Sequence, residues 1–173
     1  MLERLVLAID STSATPMGIS FASALARRSD AVVRVVFVNQ YLLAGRGHTM
    51  YSPGDAETLV ARTVGELQAN GVEATGTVRR ASCFEVAAAV VDEAGAWSAD
   101  AIVVGSHRRR WLRRLGGHGV REQITQLSHL PVLTAPAPLR VPGKLDVMAS
   151  LPPEWTEPKK RHRAARPHVE RRR

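Results

Sequence analysis

The stretch Ala31-Val32-Val33-Arg34-Val35-Val36-Phe37-Val38 decides the reading of this chain. All but one of its residues are apolar, and most are β-branched. A strand with one wet face would alternate polar and apolar residues. An unbroken run of this kind marks a strand covered on both faces, as in the centre of a parallel sheet. Leu5-Val6-Leu7-Ala8-Ile9 and Ala101-Ile102-Val103-Val104 read the same way. Val72, Ala74, Gly76 and Val78 instead alternate with Glu73, Thr75, Thr77 and Arg79, which predicts a half-exposed edge strand. Pro131-Val132-Leu133-Thr134-Ala135 supplies a short final strand.

Helical patterns separate these runs. Thr15-Pro16 reads as an N-cap with proline at the first helical position, and Met17, Phe21, Ala24 and Leu25 fall on one face. From Asp55 onward Leu59, Val60, Val64 and Leu67 form a stripe that stops at Asn70-Gly71. Ser82-x-x-Glu85 reads as a capping box ahead of Phe84, Ala88 and Val91, with Gly95 ending that helix. A last helix carries Val120, Ile124 and Leu127. Five strands alternating with four helices predict a doubly wound α/β domain with right-handed crossovers.

The chain has 173 residues, ample for a buried core in one domain. Its net charge of +8 is unevenly spread. Residues 140–173 hold ten of the 24 basic residues and four of the 16 acidic ones. Seven prolines from Pro136 onward, with few apolar neighbours, mark residues 137–173 as a disordered basic tail beyond a domain of residues 1–136. Cys83 is the single cysteine, so neither an internal disulfide nor a Cys-rich zinc site can form. The six histidines show no metal spacing. No signal-peptide pattern and no apolar run near the ~20 residues of a membrane span is present, so a cytoplasmic setting without membrane contact is expected.

Ligands of open α/β sheets bind at the carboxyl ends of the strands. Asp10-Ser11-Thr12-Ser13 leaves the first strand there; it can hold a ribose, a base edge or a metal-bound phosphate, or make ordinary turn bonds. Val104-Gly105-Ser106-His107 leaves the fourth strand and runs through Arg108, Arg109 and Arg110 to Gly116-Gly117-His118-Gly119-Val120. Glycines let a backbone approach phosphate, and a helix starting near Gly119 aims free amides at it. No Walker A loop is formed, because no Gly-Lys-Ser/Thr follows. No Ser/His/Asp or paired-carboxylate arrangement stands out.

Asp10-Ser11, Val103-Val104-Gly105-Ser106-His107, Leu112-x-Arg114-Leu115 with Val120-x-Glu122-x-Ile124, and Ser128-His129-Leu130-Pro131-Val132-Leu133 together resemble the universal stress protein family over residues 1–136. The resemblance implies a Rossmann-like sheet in order 3-2-1-4-5, of the adenine nucleotide hydrolase type, and a homodimer through the last strand. It also implies, in some members, ATP bound with magnesium through Gly-x-x-Gly, nine residues, then Gly-Ser/Thr. Here those positions are Gly105, Arg108, His118 and Gly119, of which Gly105 alone matches. Arg108 puts a Cβ where backbone and phosphate should meet, and Gly119 lacks the hydroxyl. Arg108 and His118 offer charged donors in exchange. Asp10 matches the adenosine contact, and either Val38 or Phe37 matches the residue lining the adenine. The candidate nucleotide set is therefore Ala8, Asp10, Ser11, Val38, Val104, Gly105, His107, Arg108, His118, Gly119 and Val120.

Three functions compete on this reading. The first is a regulatory binding module of the universal stress type that holds ATP or another adenine nucleotide weakly and is not an enzyme. The second is binding of DNA, RNA or an acidic partner through Arg108–Arg114 and a weak polyanion contact of the tail. The third is nucleotide hydrolysis, for which no base or nucleophile is evident.

Overall fold

The computed structural model describes residues 2–10, 15–41, 49–105 and 119–137. Along these the chain forms β1 (Arg4–Ile9), α1 (Thr15–Ser29), β2 (Val32–Tyr41), α2 (Pro53–Ala69), β3 (Ala74–Ser82), α3 (Val86–Ala96), β4 (Ala101–Val104), α4 (Val120–Leu127) and β5 (Val132–Thr134). The strands make one sheet in the order β3-β2-β1-β4-β5. Every neighbouring pair is parallel, with Leu7 beside Val35 on one side and Val103 on the other. The expected five-stranded, doubly wound α/β sheet is what forms.

Two apolar layers sandwich the sheet, and successive residues of the central strands alternate between them. Leu5, Leu7, Val33, Val35, Phe37 and Val103 face α1 and α2, where Ile19, Ala22, Ala26, Val60 and Leu67 meet them. Val6, Val36, Val38, Ile102 and Val104 face α3 and α4, against Val86, Val90, Ala94 and Ile124. This explains why those strands read as continuous apolar runs. Each fully buried Val, Leu or Ile contributes roughly 1.5–3 kcal/mol relative to exposure.

α2 is closed at both ends by its own sequence. The Ser52 hydroxyl accepts the Asp55 N–H at 3.2 Å, and Pro53 takes the first turn, where a missing N–H costs nothing. The helix begins two residues before the predicted Asp55. At the other end Gly71 takes φ 75, Gly71 N–H donates to Gln68 O at 2.9 Å, and Val72 N–H donates to Leu67 O at 3.1 Å. That pair of bonds stops the helix at Asn70-Gly71, as expected.

Two helix faces differ from the expectation. α1 starts at Thr15 itself and buries Gly18, Ile19, Ala22, Ser23 and Ala26, while Ala24 is exposed and Met17, Phe21 and Leu25 are half-buried. The stripe is rotated because small residues let the helix lie close to the sheet; a Cβ added at Gly18 would touch Leu7 Cδ1 at 3.6 Å. Ser82-x-x-Glu85 caps nothing: Ser82 ends β3, and its hydroxyl donates to the Glu85 carboxylate at 2.7 Å inside a turn. α3 then starts at Val86 and buries Val86, Ala87, Val90 and Ala94. Phe84 lies outside the helix and is 78% exposed. Gly95 sits within α3, which runs on to Ala96.

One charge enters the sheet. Arg34, the exception in the β2 run, sends its Nε to Glu93 of α3 at 2.7 Å, and Arg79 of β3 reaches the same carboxylate at 3.2 Å. Glu93 is 5% exposed, so two cations compensate one buried anion. Trp97 extends the cluster, with the guanidinium carbons of Arg4 and Arg34 at 5.9 and 5.8 Å from its ring centre. Among the described residues no buried side-chain polar atom lacks a partner.

Candidate functional site

The sheet order reverses at β1: β2 and β3 lie on one side of it, β4 and β5 on the other. The crevice outside the carboxyl ends of β1 and β4 is therefore the switch point where such sheets take ligands. Ala8 pairs with both Val36 and Val104, so Asp10 and Gly105 emerge side by side from adjacent strands. The Ala135 N–H donates to Val104 O at 2.8 Å and fixes the direction in which Gly105 leaves the sheet. A Cβ on Gly105 would meet nothing within 4 Å, so packing among the described residues does not require glycine there.

α4 begins beside this rim. Gly119 is its N-cap, with φ -64, ψ 155 and no side-chain cap bond. The Glu122 carboxylate, bonded by Arg121 at 2.6 Å, folds back against Gly119, so that a Cβ at this position would run into it. Negative charge thus already lies at the N-terminal end of α4, where the aligned peptide dipoles favour it.

The structure brings together seven of the sequence-predicted residues. Ala8, Val38, Val104 and Val120 belong to the apolar layer on the α3/α4 side and form a floor below the rim. Asp10, Gly105 and Gly119 stand above that floor at the strand and helix ends. Phe37 points to the opposite layer, where it meets Tyr51 edge to face at 5.6 Å; of the two adenine-lining candidates only Val38 shares a face with Ala8 and Val104. Ser11, His107, Arg108 and His118 lie outside the described residues, as do the Arg108–Arg114 stretch and the basic tail.

Sequence reasoning passed over Asn39. It is 2% exposed near the end of β2; its Nδ2 donates to Tyr51 O at 2.9 Å, and its Oδ1 accepts the Tyr51 N–H at 3.2 Å. Asn39 thereby pins residues 49–52 to the rim, helped by the antiparallel bridge between Tyr41 and Thr49. The available signal was an amide directly after an apolar run, where a buried side chain must find partners. Among the described residues no three His, Cys, Asp or Glu converge as a metal-ligand set, and no helix is long and apolar enough to cross a membrane.

Comparison with known proteins follows the same lines. No curated protein matches the sequence. Among solved structures, a universal stress protein from Archaeoglobus fulgidus superposes with a TM-score of 0.60 at 22% identity, covering 79% of this chain and 100% of that one. The structure of the universal stress protein from Archaeoglobus fulgidus in complex with dAMP gives 0.57 at 23% identity, over 79% of this chain and 100% of that one. An Arabidopsis thaliana family protein with AMP bound gives 0.57 at 16% identity, over 84% and 99%. At these identities the likeness carries the fold. The sequence model of the universal stress protein family matches residues 1–136, the whole of the sheet and its four helices. The chain belongs to the universal stress protein family.

Proposed function

We propose that this chain is a regulatory binding module that takes an adenine nucleotide, weakly, in the crevice above β1 and β4. The observation that carries the reading is the juxtaposition of Asp10 and Gly105 at the switch point, over a floor made by Ala8, Val38 and Val104. An apolar floor suits a flat base, and a carboxylate at a strand end accepts hydrogen bonds from ribose hydroxyls. Gly105 leaves room for a phosphate to approach the backbone. Family members from Archaeoglobus fulgidus and Arabidopsis thaliana bind dAMP and AMP, which supports the ligand class.

The weakness follows from this chain's own residues. Gly119 carries no hydroxyl for a phosphate, and Glu122 places a carboxylate at the start of α4. A phosphate chain extended toward α4 meets an end already covered by the Glu122 carboxylate, which is paired with Arg121. AMP is therefore bound at least as well as ATP.

Isothermal titration of the full chain with AMP, and with ATP in the presence and absence of magnesium, tests the reading. Saturable heat that Asp10→Ala abolishes, with the circular dichroism spectrum unchanged, is the expected result. Absence of heat with both nucleotides at millimolar concentration refutes it.

A further inference from the structure

Past the end of β1, the open side of β2 is taken by residues 49–50. Val32 donates its N–H to Glu3 O at 2.9 Å, and the register pairs Val32 with Arg4. In a parallel ladder alternate residues turn both backbone groups to the same neighbour. Val32, Arg34, Val36, Val38 and Gln40 therefore turn theirs toward β1. The β1 ladder stops where Ile9 pairs with Phe37. Beyond it Gln40 O accepts the Met50 N–H at 2.8 Å, next to the antiparallel bridge between Tyr41 and Thr49. Met50 thus stands on the line that β1 would follow past Asp10. Asp10 is one residue beyond Ile9 and level with Val38. Met50, opposite Gln40, lies two residues or about 7 Å further along.

Opposed residues of an antiparallel bridge share a face, which puts Met50 on the side of Gln40 and Val38, that of α3 and α4. Its neighbours are tied to the other side. The Thr49 hydroxyl at 2.6 Å and the Asn39 amide at 2.9 Å both donate to Tyr51 O, and the Tyr51 ring meets Phe37 edge to face. Met50 is held through its backbone beside these anchors, yet its side chain is 57% exposed. An ordered backbone under a bare apolar side chain suits a ligand contact, because little chain entropy is left to lose on binding.

We propose that Met50 contacts the base of the nucleotide. With the ribose on Asp10, the adenine ring lies over Val38, and its outer edge packs on the Met50 thioether. This rests on the reading of the crevice as an adenine nucleotide site. A thioether is flexible and polarisable, and it makes favourable contacts at the edge of an aromatic ring. Met50 thereby extends the floor of Ala8, Val38 and Val104 beyond the end of β1. The phosphate end of the crevice, at Gly105, lies on the β4 side of Asp10, away from Met50. Met50 therefore rewards a nucleotide over a sugar phosphate that has no base.

Calorimetric titration of the full chain with AMP, and methyl spectra of methionine-labelled protein by nuclear magnetic resonance, test this. Met50→Ala weakens AMP binding by about two- to tenfold, and Met50→Leu, which keeps an apolar side chain of similar size, recovers most of the loss. The methyl signal that is missing from Met50→Ala moves upfield as AMP saturates the wild type, through the ring current of the base. Ribose 5-phosphate, which lacks the base, leaves that signal in place. An unmoved methyl at saturating AMP overturns the proposal while the nucleotide reading stands. So does an AMP affinity that Met50→Ala leaves unchanged, or a methyl that ribose 5-phosphate shifts equally. A wild type that gives no heat with AMP or ATP overturns both.

Discussion

Glu93 is the residue whose loss tests the energetics of this fold most sharply. Glu93→Ala removes a carboxylate that is 7% exposed at its side chain and accepts from Arg34 at 2.7 Å and Arg79 at 3.2 Å. Deleting one member of a fully buried pair costs about 3–5 kcal/mol, mostly because the other charge is stranded. Here the stranding is incomplete, since the Arg34 and Arg79 side chains keep 28% and 46% of their exposure and Arg34 retains the face of Trp97. The expected loss is therefore about 2–3 kcal/mol. For a domain of this size that corresponds to a fall in Tm of roughly 5–10 °C. Urea unfolding followed by circular dichroism, with equal slopes for variant and wild type, measures it. Arg79→Ala, which leaves Arg34 on the carboxylate and removes a half-exposed cation, should cost under about 1 kcal/mol. A Glu93→Ala protein within about 0.5 kcal/mol of wild type would refute the reasoning, because the carboxylate would then be replaceable by water.

Two further tests concern glycine and acid. A Cβ on Gly76 would collide with one methyl group of Val60 and approach one of Val64 at 2.9 Å, so Gly76→Ala should destabilise by about 1–3 kcal/mol. Gly65 lies in α2 with nothing within 4 Å of its Cβ position, and Gly65→Ala should stabilise by about 0.5–1 kcal/mol; paired thermal melts show whether the signs are opposite. The Asp100 carboxylate accepts the backbone N–H groups of Glu3 at 2.7 Å and Arg4 at 2.8 Å, and these bonds, Glu3 first, hold its pKa below the ordinary 3.8. A depressed folded-state pKa gives stability that is present above the unfolded value and lost as pH falls through the folded one. Acid titration below about pH 5 should therefore show a decline that Asp100→Asn makes shallower, and identical declines in both proteins would contradict this.

Much of the sheet was legible because strands covered on both faces need uninterrupted apolar residues. Leu5–Ile9 and Ala101–Val104 lie within or coincide with β1 and β4. β3 was legible as an edge strand, though it runs from Ala74 to Ser82 rather than ending near Arg79. Helix boundaries were readable where a local device sets them, as at Asn70-Gly71. They were misread at Ser82-x-x-Glu85, because the bond from the Ser82 N–H to the Glu85 carboxylate can close a turn as well as form half of a capping box. In the candidate site, Asp10 and Gly105 were legible as residues leaving the carboxyl ends of apolar strands, and the resemblance matched both; their adjacency rests on the strand order.

The sequence by itself determined the class of fold, because apolar continuity, helical stripes and turn residues are local properties that act over a few residues. It could not determine which face of α1 turns inward, since that depends on how closely small residues let the helix approach the sheet. Nor could it show that Arg34, Arg79 and Glu93, from three elements, meet at one buried carboxylate. The choice of Val38 over Phe37 as the residue sharing a face with Ala8 and Val104 likewise came from register. Only the tertiary structure decided these, because each depends on residues far apart in the chain being placed side by side.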